Sequence, residues 1–85
     1  KPLVHSMKSY VGHTLSLAGA LNFITGLLEM KHGFVLPTLF LKNPSKNCDV
    51  NHVPAQGVKK EVKTVLSNAA GFGGFNATLV FRKVA

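Results

Sequence analysis

Acidic side chains are scarce in this 85-residue chain, cysteine occurs once, and tryptophan is absent. With only Glu29, Asp49 and Glu61 as acids and Cys48 as the sole thiol, the ligands for a zinc site are too few. His5, His32 and His52 add none, because no metal-ligand spacing relates them. A single cysteine excludes an internal disulfide and fits a reducing compartment. No run approaches the roughly 18 apolar residues that a membrane-spanning helix requires. The opening Lys1-Pro2-Leu3-Val4-His5-Ser6 lacks the long apolar stretch and small-residue cleavage site of a signal peptide, and is expected to be a buried strand. Internal repeats and low-complexity segments are missing too.

What is present is apolar and basic. Hydrophobic residues make up 46% of the chain and charged ones 15%, which is rich for a domain with so much surface. The expectation is that part of this apolar surface packs against further protein. The net charge of +7 favours an anionic partner, but the basic residues are scattered. Only Lys59-Lys60-x-x-Lys63 and Arg82-Lys83 cluster, with no aromatics interleaved as an RNA reader would need. Nucleic acid and membrane are therefore not expected partners.

Periodicity places the elements. Pro2 to Ser6 reads as a short strand. Leu17, Ala20, Leu21, Ile24, Leu27 and Leu28 recur at helical steps, predicting a helix from His13 to about Lys31 that ends at His32-Gly33. Phe34 to Leu41 is extended, with Pro37 keeping it out of a central ladder. Val50 to Val53 reads as a brief edge strand and Gly57 as a turn. Glu61 to Ser67 and Asn76 to Arg82 are expected to form a hairpin linked through Ala70 to Phe75. The order β-α-(extended)-β-β implies a mixed α+β fold with the helix on a small mixed sheet.

Two segments carry chemistry. In Lys8-Ser9-Tyr10-Val11-Gly12-His13 a lysine and a histidine lie five residues apart at the mouth of the helix. A helix N-terminus disfavours imidazolium, so His13 is expected to be neutral and able to donate to a developing negative charge. Lys8 acts in the same direction if it is near; the alternative is a solvated or structural pair. Gly71-Phe72-Gly73-Gly74 fails the dinucleotide-loop test, because it sits between strands and lacks a correctly spaced third glycine. Its backbone N–H groups can instead meet an oxyanion, with Phe72 as a bulky ring on a hinge; the alternative is an ordinary hairpin loop. Cys48 lies beside Asp49, which disfavours the thiolate, and is not expected to be a nucleophile. No Ser-His-acid arrangement is visible.

Taken in order, these segments resemble the C-terminal end of a β-ketoacyl-acyl carrier protein synthase, the elongating condensing enzyme of fatty acid synthesis. Lys8-Ser9-Tyr10-Val11-Gly12-His13 resembles the family's K-S-x-x-G-H, and Ala18-Gly19 fits its A-A-G. Ser67 to Ala77 resembles S-N-S-F-G-F-G-G-T-N-A, and the likeness covers essentially residues 1–85. It implies an α/β thiolase-like fold, of which this would be the β-α-β-β end of the second half. It also implies decarboxylative Claisen condensation without a cofactor or metal. His13 would bind the malonyl thioester oxygen and Lys8 would be the active-site lysine. Phe72, between Gly71 and Gly73, would be the oxyanion donor and acyl gate. Implied partners are acyl carrier protein bearing phosphopantetheine-bound acyl and malonyl groups, the rest of the synthase chain, and a second copy in a cytoplasmic homodimer. The family's catalytic cysteine and first histidine have no counterpart here, so these residues alone are expected to be inactive. Asn22 stands where a glutamate usually pairs with the lysine, and Ala69, Ala70 and Phe75 replace Ser, Phe and Thr. A non-catalytic chain-length-factor-type subunit and a self-standing basic binding module are the alternatives.

Overall fold

Helix α2, Ala18–His32, organises the chain in the computed structural model, which describes residues 2–84. A four-residue helix, α1 (Lys8–Val11), and a 3-10 turn at Leu15–Leu17 precede it. Helix α2 stops where Gly33 turns left-handed (φ 62°) and its N–H closes on the Glu29 carbonyl at 2.9 Å. Lys31 and His32 place positive charge in the last turn, as the helix dipole favours. Lys60 N–H then donates to the Gly33 carbonyl at 2.9 Å. That bond starts a small antiparallel ladder between β1 (Phe34–Val35) and β2 (Val58–Lys59).

The long hairpin joins β3 (Thr64–Gly71) to β4 (Phe75–Arg82), pairing every residue from Thr64 with Arg82 to Gly71 with Phe75. Along β3, Val65, Ser67 and Ala69 are half-buried while their neighbours are exposed, so one face of the ribbon meets α2. Phe23 meets Phe81 edge to face, with ring centroids 4.8 Å apart and planes at 74°. Gly26 lets the hairpin approach: a β-carbon there would lie 2.7 Å from Phe81 Cζ and 3.0 Å from Val65 Cγ1. Gly26→Val is therefore expected to destabilise the protein by about 2 kcal/mol or more, because overpacking and a β-branched helix residue act together. Unchanged denaturant unfolding would show that the approach is not needed.

Burial is shallow. Among the described residues, Met30, Val35 and Val53 are the buried hydrophobic side chains, and Pro37 and Glu29 are buried too. The accessible surface is 6716 Å², whereas a free-standing folded chain of this mass exposes about 4,900 Å². As surface on one side alone, the excess of roughly 1,800 Å² is more than twice the roughly 800 Å² each partner buries in a standard stable interface. Much of it is apolar: Ile24, Leu27 and Leu28 face outward on α2, and Leu66 and Val80 on the far face of the hairpin.

The expected class, mixed α and β, is observed as helices plus antiparallel strands, and several finer expectations are corrected. Pro2 to Ser6 and Val50 to Val53 are not strands; they meet only at a parallel bridge between Val4 and His52. Within the described residues no further strand continues that bridge, so no mixed sheet forms. Pairing in Phe34 to Leu41 ends at Val35, two residues before Pro37, which cannot donate to a ladder. The hairpin link is three residues, 72–74, shorter than the expected Ala70 to Phe75, because the left-handed Gly73 and Gly74 close it tightly. The expected turn at Gly57 is present, with its N–H bonded to the Pro54 carbonyl.

Candidate functional site

Helix α2 and strand β3 run in opposite directions. Gly19 lies over Ala69, and Gly26 over Val65 and Phe81. Seven residues of helix rise about 10 Å and four of strand about 13 Å, so the two advance together. The chain entering α2 and the β3–β4 turn therefore occupy the same end of the molecule. Both sequence segments singled out above lie toward that end, with no hydrogen bond between them among the described residues.

His13 does not stand at the helix N-terminus as expected. Regular helix starts five residues later, at Ala18, because positive-φ residues on either side of His13 interrupt it. Gly12 adopts φ 76°, ψ −177°, and Leu15 adopts φ 56°. The helix dipole therefore acts on His13 less directly than the sequence suggested. A different contact fixes the ring: Leu15 N–H donates to His13 Nδ1 at 3.0 Å. An amide N–H can only donate, so a neutral ring carries its proton on Nε2. Nε2–H makes no hydrogen bond among the described residues, and the side chain is exposed. The ring is a preset donor.

Lys8 opens α1 and is exposed. Its N–H donates to Ser6 Oγ at 3.3 Å, and its carbonyl accepts Gly12 N–H at 2.8 Å. One short turn thus separates Lys8 from His13, yet no hydrogen bond joins their side chains among the described residues. Lys8 and Asn22 share the wall of a groove of about 1110 Å³ between the residues before α1, helix α2 and β3. Gly71 ends β3 opposite Phe75, and Gly73 has φ 89°. Phe72 is 96% exposed, so its ring plugs nothing within this chain.

The side chains that hold this end in place escaped the sequence reading. Ser6 N–H donates to Thr38 Oγ1 at 2.9 Å, and Leu39 N–H to Ser9 Oγ at 2.7 Å. The Tyr10 hydroxyl donates to the Pro37 carbonyl at 2.7 Å. Burial, and then the Glu29 charge, raise the Tyr10 pKa above its ordinary value, so it stays a protonated donor at neutral pH. These partners lie 27 to 32 residues apart, and no local pattern announces such pairs. Cys48 is exposed in a loop, with its carbonyl 2.8 Å from His52 Nε2. No group of three or more His, Cys, Asp or Glu is placed to hold a metal among the described residues.

Comparison with known proteins identifies the family. Residues 1–42 match the family described as beta-ketoacyl synthase, C-terminal domain. Similar proteins include 3-oxoacyl-[acyl-carrier-protein] synthase 2 of Coxiella burnetii, 42% identical over 84 residues. Synthase 1 of Escherichia coli (strain K12) is 36% identical over 83 residues. Oxytetracycline polyketide putative beta-ketoacyl synthase 1 of Streptomyces rimosus is 40% identical over 77. These alignments cover 99%, 98% and 91% of this chain but 20%, 20% and 18% of the relatives. The chain spans about a fifth of the length of the curated relatives it matches. It belongs to the β-ketoacyl synthase family, where it aligns with the C-terminal portion.

Proposed function

We propose that this chain supplies one side of the active site of a 3-oxoacyl-acyl carrier protein synthase, with residues 1–85 as the C-terminal portion of the synthase domain. The observation that carries the reading is the Leu15 N–H bond to His13 Nδ1, which leaves Nε2–H as the ring's donor. In decarboxylative Claisen condensation the malonyl C–C bond breaks, carbon dioxide leaves, and its electron pair forms an enolate on the thioester. A fixed neutral donor stabilises that oxygen as charge develops, without reorganising first. The enolate carbon then attacks an acyl thioester on a cysteine, forming the new C–C bond and releasing the thiolate. That cysteine is not Cys48, which lies in an exposed loop, so these residues alone are inactive.

In this reading Lys8 adds positive charge beside the malonyl site. Gly71, Phe72 and Gly73 form the second element, with the Phe72 N–H in the oxyanion hole and its exposed ring packing on the acyl chain as a gate. The +7 charge suits an acidic carrier protein with its phosphopantetheine-bound acyl and malonyl groups. The excess surface is covered by the rest of the synthase chain and, in a homodimer, by what a second copy contributes. It argues against a self-standing binding module. No described helix is long and apolar enough to cross a membrane. We place the enzyme in the cytoplasm with its carrier protein.

The test is direct. The intact synthase, given acyl donors of several lengths and malonyl-acyl carrier protein, is expected to release carbon dioxide and form 3-oxoacyl-acyl carrier protein. Absence of both products from folded protein would remove the assignment and favour the non-catalytic partner subunit. Phe72→Ala is expected to shift the acyl-length preference with little change in unfolding. A change in stability alone would remove the gate.

A further inference from the structure

Among the described residues Glu29 is the buried charged side chain, 7% exposed, and nothing in the proposed chemistry uses it. Its Oε2 lies 3.0 Å from His5 Nε2 and accepts Leu36 N–H at 2.9 Å. His5 Nδ1 is buried without a hydrogen-bond partner among the described residues. A buried pair of this kind adds little stability, since a well-packed apolar side chain of similar volume is often as good or better. The arrangement gains something else, which is register.

From the Glu29 junction two segments run side by side. Residues 5–10 bind residues 36–39 through Ser6 to Thr38, Ser9 to Leu39, and Tyr10 to Pro37. Lys8 lies within the first segment, and His13 follows it by one turn. Glu29 fixes both segments at their common root, since one oxygen holds His5 of the first and Leu36 at the head of the second. Without it the remaining bonds are single contacts near the surface, each able to slip.

We propose that Glu29, through His5 and the Leu36 amide, is a positioning residue for the Lys8–His13 segment. The proposal rests on the functional reading above. Displacing a catalytic group by about an ångström costs on the order of a hundredfold in rate. In the intact synthase, Glu29→Ala and His5→Ala are each expected to lower kcat for malonyl decarboxylation by about ten- to a hundredfold. KM should change little, because neither side chain is proposed to touch substrate. The double variant should be no worse than the more severe single one, as for two residues acting through one junction. Glu29→Gln keeps an oxygen that accepts from both His5 and Leu36, and should restore most of kcat.

Rates are referred to folded protein, measured by circular dichroism on the same samples. If Glu29→Ala does not fold, His5→Ala carries the same test. Wild-type kcat in folded Glu29→Ala or His5→Ala, or a loss that Glu29→Gln fails to recover, overturns the proposal. His13→Ala serves as the control. If it abolishes decarboxylation while folded Glu29→Ala keeps it, the positioning role alone has failed. If His13→Ala also keeps it, the functional reading has failed.

Discussion

Replacing His13 with alanine is expected to cut malonyl decarboxylation by at least about a hundredfold, the usual cost of removing one preorganised donor from a developing oxyanion. The side chain is exposed and its bond to Leu15 N–H is local, so folding should change little. The right assay is carbon dioxide release from malonyl-acyl carrier protein without an acyl donor, because it isolates enolate formation from transfer. His13→Gln should recover part of the rate, since an amide donates hydrogen bonds yet lacks the Nδ1 acceptor that Leu15 fixes. Unaltered decarboxylation by a folded His13→Ala variant would remove the histidine from the chemistry and leave Leu15's left-handed backbone without a functional reason.

Leu15 also shows why the sequence was only partly legible. Its apolar spacing fits a helix running back to His13, and periodicity has no means of registering a φ of 56°. Leu15 gains no compensation from burial, being 69% exposed. A left-handed leucine costs on the order of 1–3 kcal/mol, offset in part by its N–H bond to the ring. The helix C-terminus was readable because Gly33 needs only its own neighbours to cap it. The hairpin was readable because alternation and glycine are local signals, although its turn proved tighter than expected. Pro2 to Ser6 failed for the opposite reason: a strand exists only when a neighbour pairs with it, and among the described residues the segment makes one isolated bridge, Val4 to His52, closed by Val4 bonds to Asn51 and Val53.

The same distinction separates the two layers of the candidate site. Lys8, His13 and Gly71 to Gly73 can be singled out by residue type and spacing, while the roles proposed for them come from the family resemblance. Their supports cannot be singled out. Ser6, Ser9, Tyr10 and Glu29 are ordinary residues until the chain folds segment 36–39 against them. In sequence Glu29 is only one of three acids, yet it is buried on α2 against His5 and Leu36.

Gly12→Ala should have the second largest effect, and it separates backbone geometry from packing. Gly12 combines φ 76° with ψ −177°, a region essentially reserved for glycine. A β-carbon there would meet nothing within 4 Å, so alanine is resisted by the backbone alone. The substituted chain will relieve a strain of about 1–3 kcal/mol by rotating out of this conformation. That rotation moves His13 relative to Lys8, because Gly12 is the hinge between α1 and the histidine. The expected result is a fall of about a hundredfold in kcat for decarboxylation, with the protein still folded. Gly19→Ala is the matched control. Gly19 is helical, and its added β-carbon would sit 3.9 Å from Ala69 Cβ, an ordinary contact. Helix propensity then favours alanine by up to about 1 kcal/mol, and activity should be unchanged. Equal rates for Gly12→Ala and Gly19→Ala would mean that the Lys8–His13 turn tolerates rearrangement, and that the ring's Leu15 contact suffices to aim it.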